Sequence, residues 1–203
     1  MKSTTFNFMK HSIEQEKKAL EQLLEIMEST PYEKALKFLL DSSLTITSAC
    51  GSSGFTTKKF AHSLCCVECP AKFVPPSEAV HGGMGALKAG NSLVLVSKGG
   101  KTEELIPLAE IAKAKKANII VITANCDSPL ATMADVVLPL PNLPESDRFN
   151  VMSTASFVAT ISIFDALMMG IMEEKNYELS DFALIHPGGA VGKRISKLRS
   201  VIL

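Results

Sequence analysis

Residues 92–123 read SLVLVSKGGKTEELIPLAEIAKAKKANIIVIT. The segment opens on a short aliphatic run, SLVLVS at 92–97, and passes through the turn Lys98-Gly99-Gly100-Lys101-Thr102. Apolar residues then recur at helical spacing over 103–115 before a second aliphatic run, NIIVIT at 118–123. Apolar runs of this length, without alternation, are strands covered on both faces, and a helix between two of them is the crossover of a parallel pair.

The same pattern extends in both directions. Strands are expected at 44–49, 71–74 and 135–140, and helices at 55–66, 128–133 and 151–175. Ahead of the first strand, Ile13, Leu20, Leu23, Leu24 and Met27 carry helical spacing over 12–29, and Pro31 begins a second helix over 31–41. The chain therefore reads as an α/β protein: a three-layer αβα sandwich around a five-stranded parallel sheet at 44–203, preceded by an N-terminal helical arm at 1–43. Packing of the arm on its own sheet and packing on a neighbouring subunit are equally physical.

Bulk properties exclude several classes. The 203 residues are 46% hydrophobic, enough for a packed core, and Lys plus Arg balance Asp plus Glu at 21 each. No basic or acidic tract invites nucleic acid or an anionic membrane. The five cysteines form no complete disulfide framework, which fits a reducing, cytoplasmic setting. Cys66-x-x-Cys69 lacks a second pair at zinc spacing and reads as small buried residues, so no metal is expected. The N-terminus carries no signal-peptide pattern. The apolar segment 157–172, interrupted by Asp165, reads as too short to span a bilayer and as a buried helix.

In an open parallel sheet, ligands bind beyond the carboxyl ends of the strands. Two turns there have the chemistry of a phosphate cradle. After the first strand stand Cys50-Gly51-Ser52-Ser53-Gly54, with hydroxyls, glycines and a following helix N-terminus. After the third stand Ser97-Lys98-Gly99-Gly100-Lys101-Thr102, which add two ammonium groups. Each turn alone can equally be a plain strand-to-helix connection. Neither is a Walker A loop and neither contains G-x-G-x-x-G, which weakens a nucleotide reading. Two histidines beside Gly-Gly pairs, His81 in PPSEAVHGG and His186 in HPGGA, can move protons near neutrality or serve as turn residues bonded to backbone.

In order along the chain, CGSSG, PPSEAVHGGMG, VLVSKGGKTEEL, IVITANCDSPLATMADVVL, MSTAS and FALIHPGGAVGKR resemble the sugar isomerase (SIS) domain of the arabinose 5-phosphate isomerases. The resemblance covers about residues 44–194. It implies an aldose–ketose phosphosugar isomerase, without cofactor, acting as a homodimer or homotetramer with shared sites. Many members carry a paired CBS module after HPGG; this chain stops at Leu203 and is expected to be of the branch without it. Carried over residue by residue, Gly51, Ser52, Ser53, Ser97, Lys98, Gly100, Lys101 and Thr102 fall on the phosphate loops. His186 and His81 fall on two active-site histidines, and Glu145 on a glutamate ahead of the T-A-S helix. Two positions depart from the pattern: Ser52 stands where the isomerases have lysine, and Lys101 where they have an acidic residue. Lys98 or Lys101 is the expected substitute for the lost positive charge.

Aldose–ketose isomerisation moves a proton between adjacent carbons through an enediolate, which needs ring opening, a base and a stabilised oxyanion. Glu145 and His186 are the expected proton-transfer pair, with His81 assisting ring opening. The alternative is a non-catalytic phosphosugar-binding or regulatory protein. Ser77 and Glu78, beside His81, are candidate contacts to a sugar hydroxyl, and Asn125, Asp127 and Ser128 read as a turn and helix cap.

Overall fold

A computed structural model describes the backbone of residues 3–202 and the side chains of residues 4–195. Five strands, β1 (Thr45–Ala49), β2 (Ala71–Phe73), β3 (Ser92–Val96), β4 (Asn118–Thr123) and β5 (Val136–Pro139), form one sheet in the order β2-β1-β3-β4-β5. All four pairings are parallel, in register from Thr45↔Ala71 and Thr45↔Ser92 through Ser92↔Asn118 to Ile120↔Val136.

The helices are α1 (Ser3–Ile26), α2 (Ser29–Asp41), α3 (Gly51–Cys66), α4 (Pro76–Ala79), α5 (Ile106–Ala114), α6 (Pro129–Met133), α7 (Ala155–Glu174), α8 (Leu179–Ile185) and α9 (Gly189–Ile202). From β1 the chain winds through α3 to one edge strand; from β3 it winds through α5 and α6 to the other. That reversal between β1 and β3 opens a crevice beyond their carboxyl ends. It also places α3 and the α5–α6 pair on opposite faces.

Side chains sort between the faces with the strand period of two. Leu93, Leu95, Ile119 and Val121 pack with Leu105, Leu108, Ala109 and Leu130. Val94, Val96, Ile120, Ile122 and Leu138 pack with Phe60 and Leu64 of α3 and with Ala159, Ile163, Phe164 and Leu167 of α7. Phe60 and Phe164 stack with centroids 4.1 Å apart, joining α3 to α7. The N-terminal arm lies on this second face. Tyr32, Ala35 and Leu39 of α2 and Leu23 of α1 belong to the same apolar cluster. Ser92 ties α2 to β3 by donating its hydroxyl to Phe38 O and its N–H to Ser42 Oγ.

Several boundaries differ from the sequence expectation. α1 begins at Ser3 rather than near 12, because Phe6, Phe8 and Met9 point away from the core and leave no inward stripe to read. The segment CGSSG is not a free loop: α3 starts at Gly51, whose φ of +55° lets the chain turn straight from strand into helix. α7 starts at Ala155 rather than 151. The preceding turn is wound instead around Asp147, whose carboxylate accepts the N–H groups of Phe149, Val151 and Met152. The 20 residues of α7 are long and apolar enough to cross a bilayer, contrary to the sequence reading of too short a segment. Yet Ala159, Ile163, Phe164, Leu167 and Ile171 are buried in the core, so α7 is built as a core helix.

Candidate functional site

Ser97 leaves the end of β3 buried, and its hydroxyl lies 2.8 Å from the hydroxyl of Thr102. Between them the chain turns tightly, with Gly100 N–H donating to Ser97 O at 2.9 Å. Gly100 has φ of +66°, and a Cβ there would sit 1.9 Å from Ser128 Oγ. Only glycine fits, because the turn is pressed onto its neighbours. Thr123 Oγ1 and Ala124 N–H both donate to Lys98 O, and Leu130 N–H donates to Gly100 O. Ser128 caps α6 by accepting from Ala131 N–H. Lys101 and Gly99 are exposed on the outer side of the turn.

Across the crevice, Gly51, Ser52 and Ser53 form the first turn of α3, and no side chain caps them. Uncapped N–H groups at a helix N-terminus carry partial positive charge and accept an anion. The helix also sits close to its strand: a Cβ at Gly54 would be 3.0 Å from Ala49 O.

Lys98 joins the Ser97–Thr102 turn to Glu145. Its ammonium donates to Glu145 Oε1 at 2.6 Å. The opposite oxygen, Oε2, accepts the N–H of Thr154 at 2.9 Å, the N–H of Ser156 at 3.2 Å and the Thr154 hydroxyl at 3.2 Å. Glu145 thus closes the N-terminus of α7 with its side chain 4% exposed. Burial by itself pushes this carboxyl up. The Lys98 ammonium and the hydrogen bonds from Ser156 and Thr154 outweigh it and bring the pKa down to about 2. Asn150, with φ of +56°, fixes the segment by accepting Glu145 N–H at 2.7 Å.

Among the described residues, neither candidate histidine hydrogen-bonds to Lys98 or Glu145. His81 is exposed on the turn after α4, its N–H donating to Glu78 O at 3.2 Å. His186 ends α8, stacked on Phe182 with centroids 4.2 Å apart. Its Nδ1 is buried with no hydrogen-bond partner among the described residues. Gly192 permits the HPGG turn to fold against it, since a Cβ there would stand 2.5 Å from His186 O. Phe182 lies with Met168 and Met172 around a groove at the far end of α7. The rise from Ala155 to Met168 is about 20 Å. Within one chain, then, the fold gathers the β1 and β3 turns with Glu145 but leaves His186 toward the other end of α7.

Beside the β1 turn opens a cavity of about 440 Å³. Phe55, Phe73, Pro75 and Pro76 give it apolar walls, and Cys50, Lys58, Ser77 and Glu104 contribute its polar groups. Burial, with the Glu104 carboxylate nearby, pushes the Cys50 thiol up, so it remains a neutral S–H. Sequence reading gave no role to Lys58, which lies outside the quoted stretches, or to Glu104, which stands inside VLVSKGGKTEEL, and gave Thr154 no part in holding Glu145. All five cysteines are free, and among the described residues no group of side chains is arranged to hold a metal ion.

Residues 39–170 match the SIS domain family. The arabinose 5-phosphate isomerase KpsF of Escherichia coli is 32% identical over 188 residues, 92% of this chain and 58% of that protein. The arabinose 5-phosphate isomerase KdsD of Pseudomonas aeruginosa is 36% identical over 145 residues, 71% of this chain and 44% of that one. The chain thus spans about half the length of these curated relatives. Among solved structures, a Listeria monocytogenes protein provisionally assigned as a sugar-phosphate isomerase superposes with a TM-score of 0.87 at 37% identity, over 93% of this chain and 100% of the other. A protein of Escherichia coli CFT073 solved in complex with arabinose 5-phosphate superposes with a TM-score of 0.84 at 26% identity, covering 92% and 100%.

Proposed function

The chain belongs to the SIS domain family, and from that premise we propose that it is a phosphosugar isomerase interconverting an aldose phosphate and a ketose phosphate, with arabinose 5-phosphate the first substrate to try. The observation that carries this reading is the joining of a phosphate-type turn to a buried carboxylate by one lysine, Lys98, at the switch point of the sheet.

In this reading the phosphate rests between the Ser97–Thr102 turn and the first turn of α3. Backbone N–H groups and the hydroxyls of Ser53, Ser97 and Thr102 hold it, with the exposed ammonium of Lys101 adding charge. Glu145 is the base at the carbon next to the carbonyl. For that it must release Lys98, which is then free to stabilise the enediolate oxygen. His81 assists ring opening. His186, half-buried at the end of α8, serves the site of a neighbouring copy through the part of its ring that remains accessible. A homodimer or homotetramer is supported by the exposed Phe6, Phe8, Ile13, Phe149 and Met152, surface that a second copy can cover. The chemistry needs no cofactor, and a cytoplasmic enzyme fits five free cysteines.

A second reading, phosphosugar binding without turnover, is favoured by one observation. Glu145 is engaged by four hydrogen bonds and held at a pKa of about 2, a weak base as it stands. A coupled assay across aldose and ketose phosphates, with binding measured alongside, decides between them. Turnover that Glu145→Gln abolishes while binding persists supports the isomerase. Binding of a sugar phosphate with no turnover of any supports the sensor.

A further inference from the structure

The cavity beside the β1 turn holds two charged side chains that the phosphate and proton-transfer roles leave unused. Lys58 stands on the second turn of α3, and Glu104 on the short helical turn after Thr102. Both line the cavity, and both are exposed. Among the described residues neither forms an ion pair or a side-chain hydrogen bond, unlike Lys98 and Glu145, which are committed to each other. The other walls are largely apolar, so these two supply most of the cavity's strong hydrogen-bonding capacity. Cys50 and Gly51 of the α3 start also line it, and Glu104 lies two residues beyond Thr102, so the cavity adjoins the β1 turn and reaches the segment that follows the β3 turn. A volume of about 440 Å³ lies within the range of about 300–1,000 Å³ usual for small-molecule sites.

We propose that this cavity is the polyol subsite for the bound phosphosugar, in which the Lys58 ammonium donates to an oxygen of the sugar chain and the Glu104 carboxylate accepts from its hydroxyls. The assignment rests on the phosphosugar reading above. It also bears on the two departures in the sequence. Ser52 lies on the same helix as Lys58, and Lys101 three residues before Glu104, so the missing ammonium and carboxylate reappear on the same two segments, facing one cavity. The apolar walls then meet the carbon faces of the sugar, and the charged pair sets which hydroxyl pattern is accepted.

The test compares two probes on the full chain by calorimetry: inorganic phosphate, and a sugar-phosphate set of arabinose 5-phosphate, ribulose 5-phosphate and fructose 6-phosphate. Lys58→Met and Glu104→Gln are expected to weaken the best-bound sugar phosphate at least tenfold while phosphate affinity stays within twofold. Retained phosphate binding also reports an intact fold. Unchanged sugar-phosphate affinity in both variants overturns the subsite and leaves the phosphosugar reading standing. An equal loss for phosphate and sugar phosphate in Lys58→Met overturns it too, because Lys58 would then belong to the phosphate. If the wild-type chain binds none of the three sugar phosphates, the phosphosugar reading fails and the subsite with it.

Discussion

Glu145 carries the clearest charge consequence of any single residue. Its folded pKa of about 2 lies below the ordinary carboxyl value of 4.5, so the native state favours the ionised form. The resulting stabilisation is fully present above pH 4.5 and is lost as pH falls toward 2. Lys98 is about one-third exposed and partly screened, so the contribution is at most about 3 kcal/mol. Denaturant titrations from pH 6 to pH 2 should show Glu145→Gln with a flatter acid limb than wild type; parallel limbs would mean the carboxyl is not perturbed. The same pair makes a kinetic statement. If Glu145 is the base, the acid limb of kcat/KM lies well below pH 4 and moves up in Lys98→Met, which removes the cation holding the carboxyl down. A limb near pH 6 that ignores the substitution would assign the titration elsewhere. Gly100 is equally sharp: alanine there meets both a φ of +66° and the Ser128 hydroxyl. Gly100→Ala is expected to cost about 2 kcal/mol or more and at least tenfold in phosphate affinity. Ser128→Gly in the same chain should return part of both, since it removes the clashing atom while the backbone strain remains.

At the level of elements, the seam between α3 and α7 separates packing from charge. Phe60 and Phe164 are fully buried and stacked, whereas Lys59 and Asp165, paired on adjacent positions of the same two helices, are 41% and 49% exposed. Phe164→Ala should lower unfolding free energy by about 3–5 kcal/mol, and Asp165→Asn by less than about 1. Chemical denaturation of the two variants checks this, and similar losses would show that the ion pair is a structural anchor rather than a surface contact. The same elements show what could be read in advance. β3 and β4 were legible because continuous aliphatic runs leave no other option, and the parallel order follows from the helices between them. Helix starts were less legible. α3 begins inside CGSSG because Gly51 adopts positive φ, a choice that composition permits but does not require. α7 begins late because Asp147 captures three N–H groups that a helix would otherwise use. Glu145 could be located by motif alone, but its partner could not: Lys98 is 47 residues away and meets it only when β3 and the β5–α7 connection converge. Lys58 lies outside every quoted stretch and Glu104 stands inside VLVSKGGKTEEL with nothing in the sequence to link the two; the fold sets them on one cavity.

For the molecule as a whole, the question is whether one chain contains a complete site. Glu145 closes the first turn of α7, while Phe182, on which His186 stacks, packs beside Met168 and Met172. The helix between these points rises about 20 Å and is locked into the core by Ile163, Phe164 and Leu167. Bringing the two groups to one sugar within a chain would require breaking that packing, which is expensive. Bringing them together across a symmetric interface requires only a second copy, whose His186 approaches the first copy's Glu145 while the reverse contact forms at the other site. Complementation decides the matter. Glu145→Gln and His186→Ala homo-oligomers should each be inactive. Mixed one to one under conditions that allow subunit exchange, a dimer gives half hybrids, and each hybrid carries one site with both wild-type groups, so about a quarter of wild-type activity should return. No recovery, with exchange verified by differently tagged chains, would place both groups in the site of a single chain or remove His186 from the chemistry. Recovery well above one quarter is not available to a dimer with independent sites, so it would point to a larger assembly in which intact sites activate their neighbours.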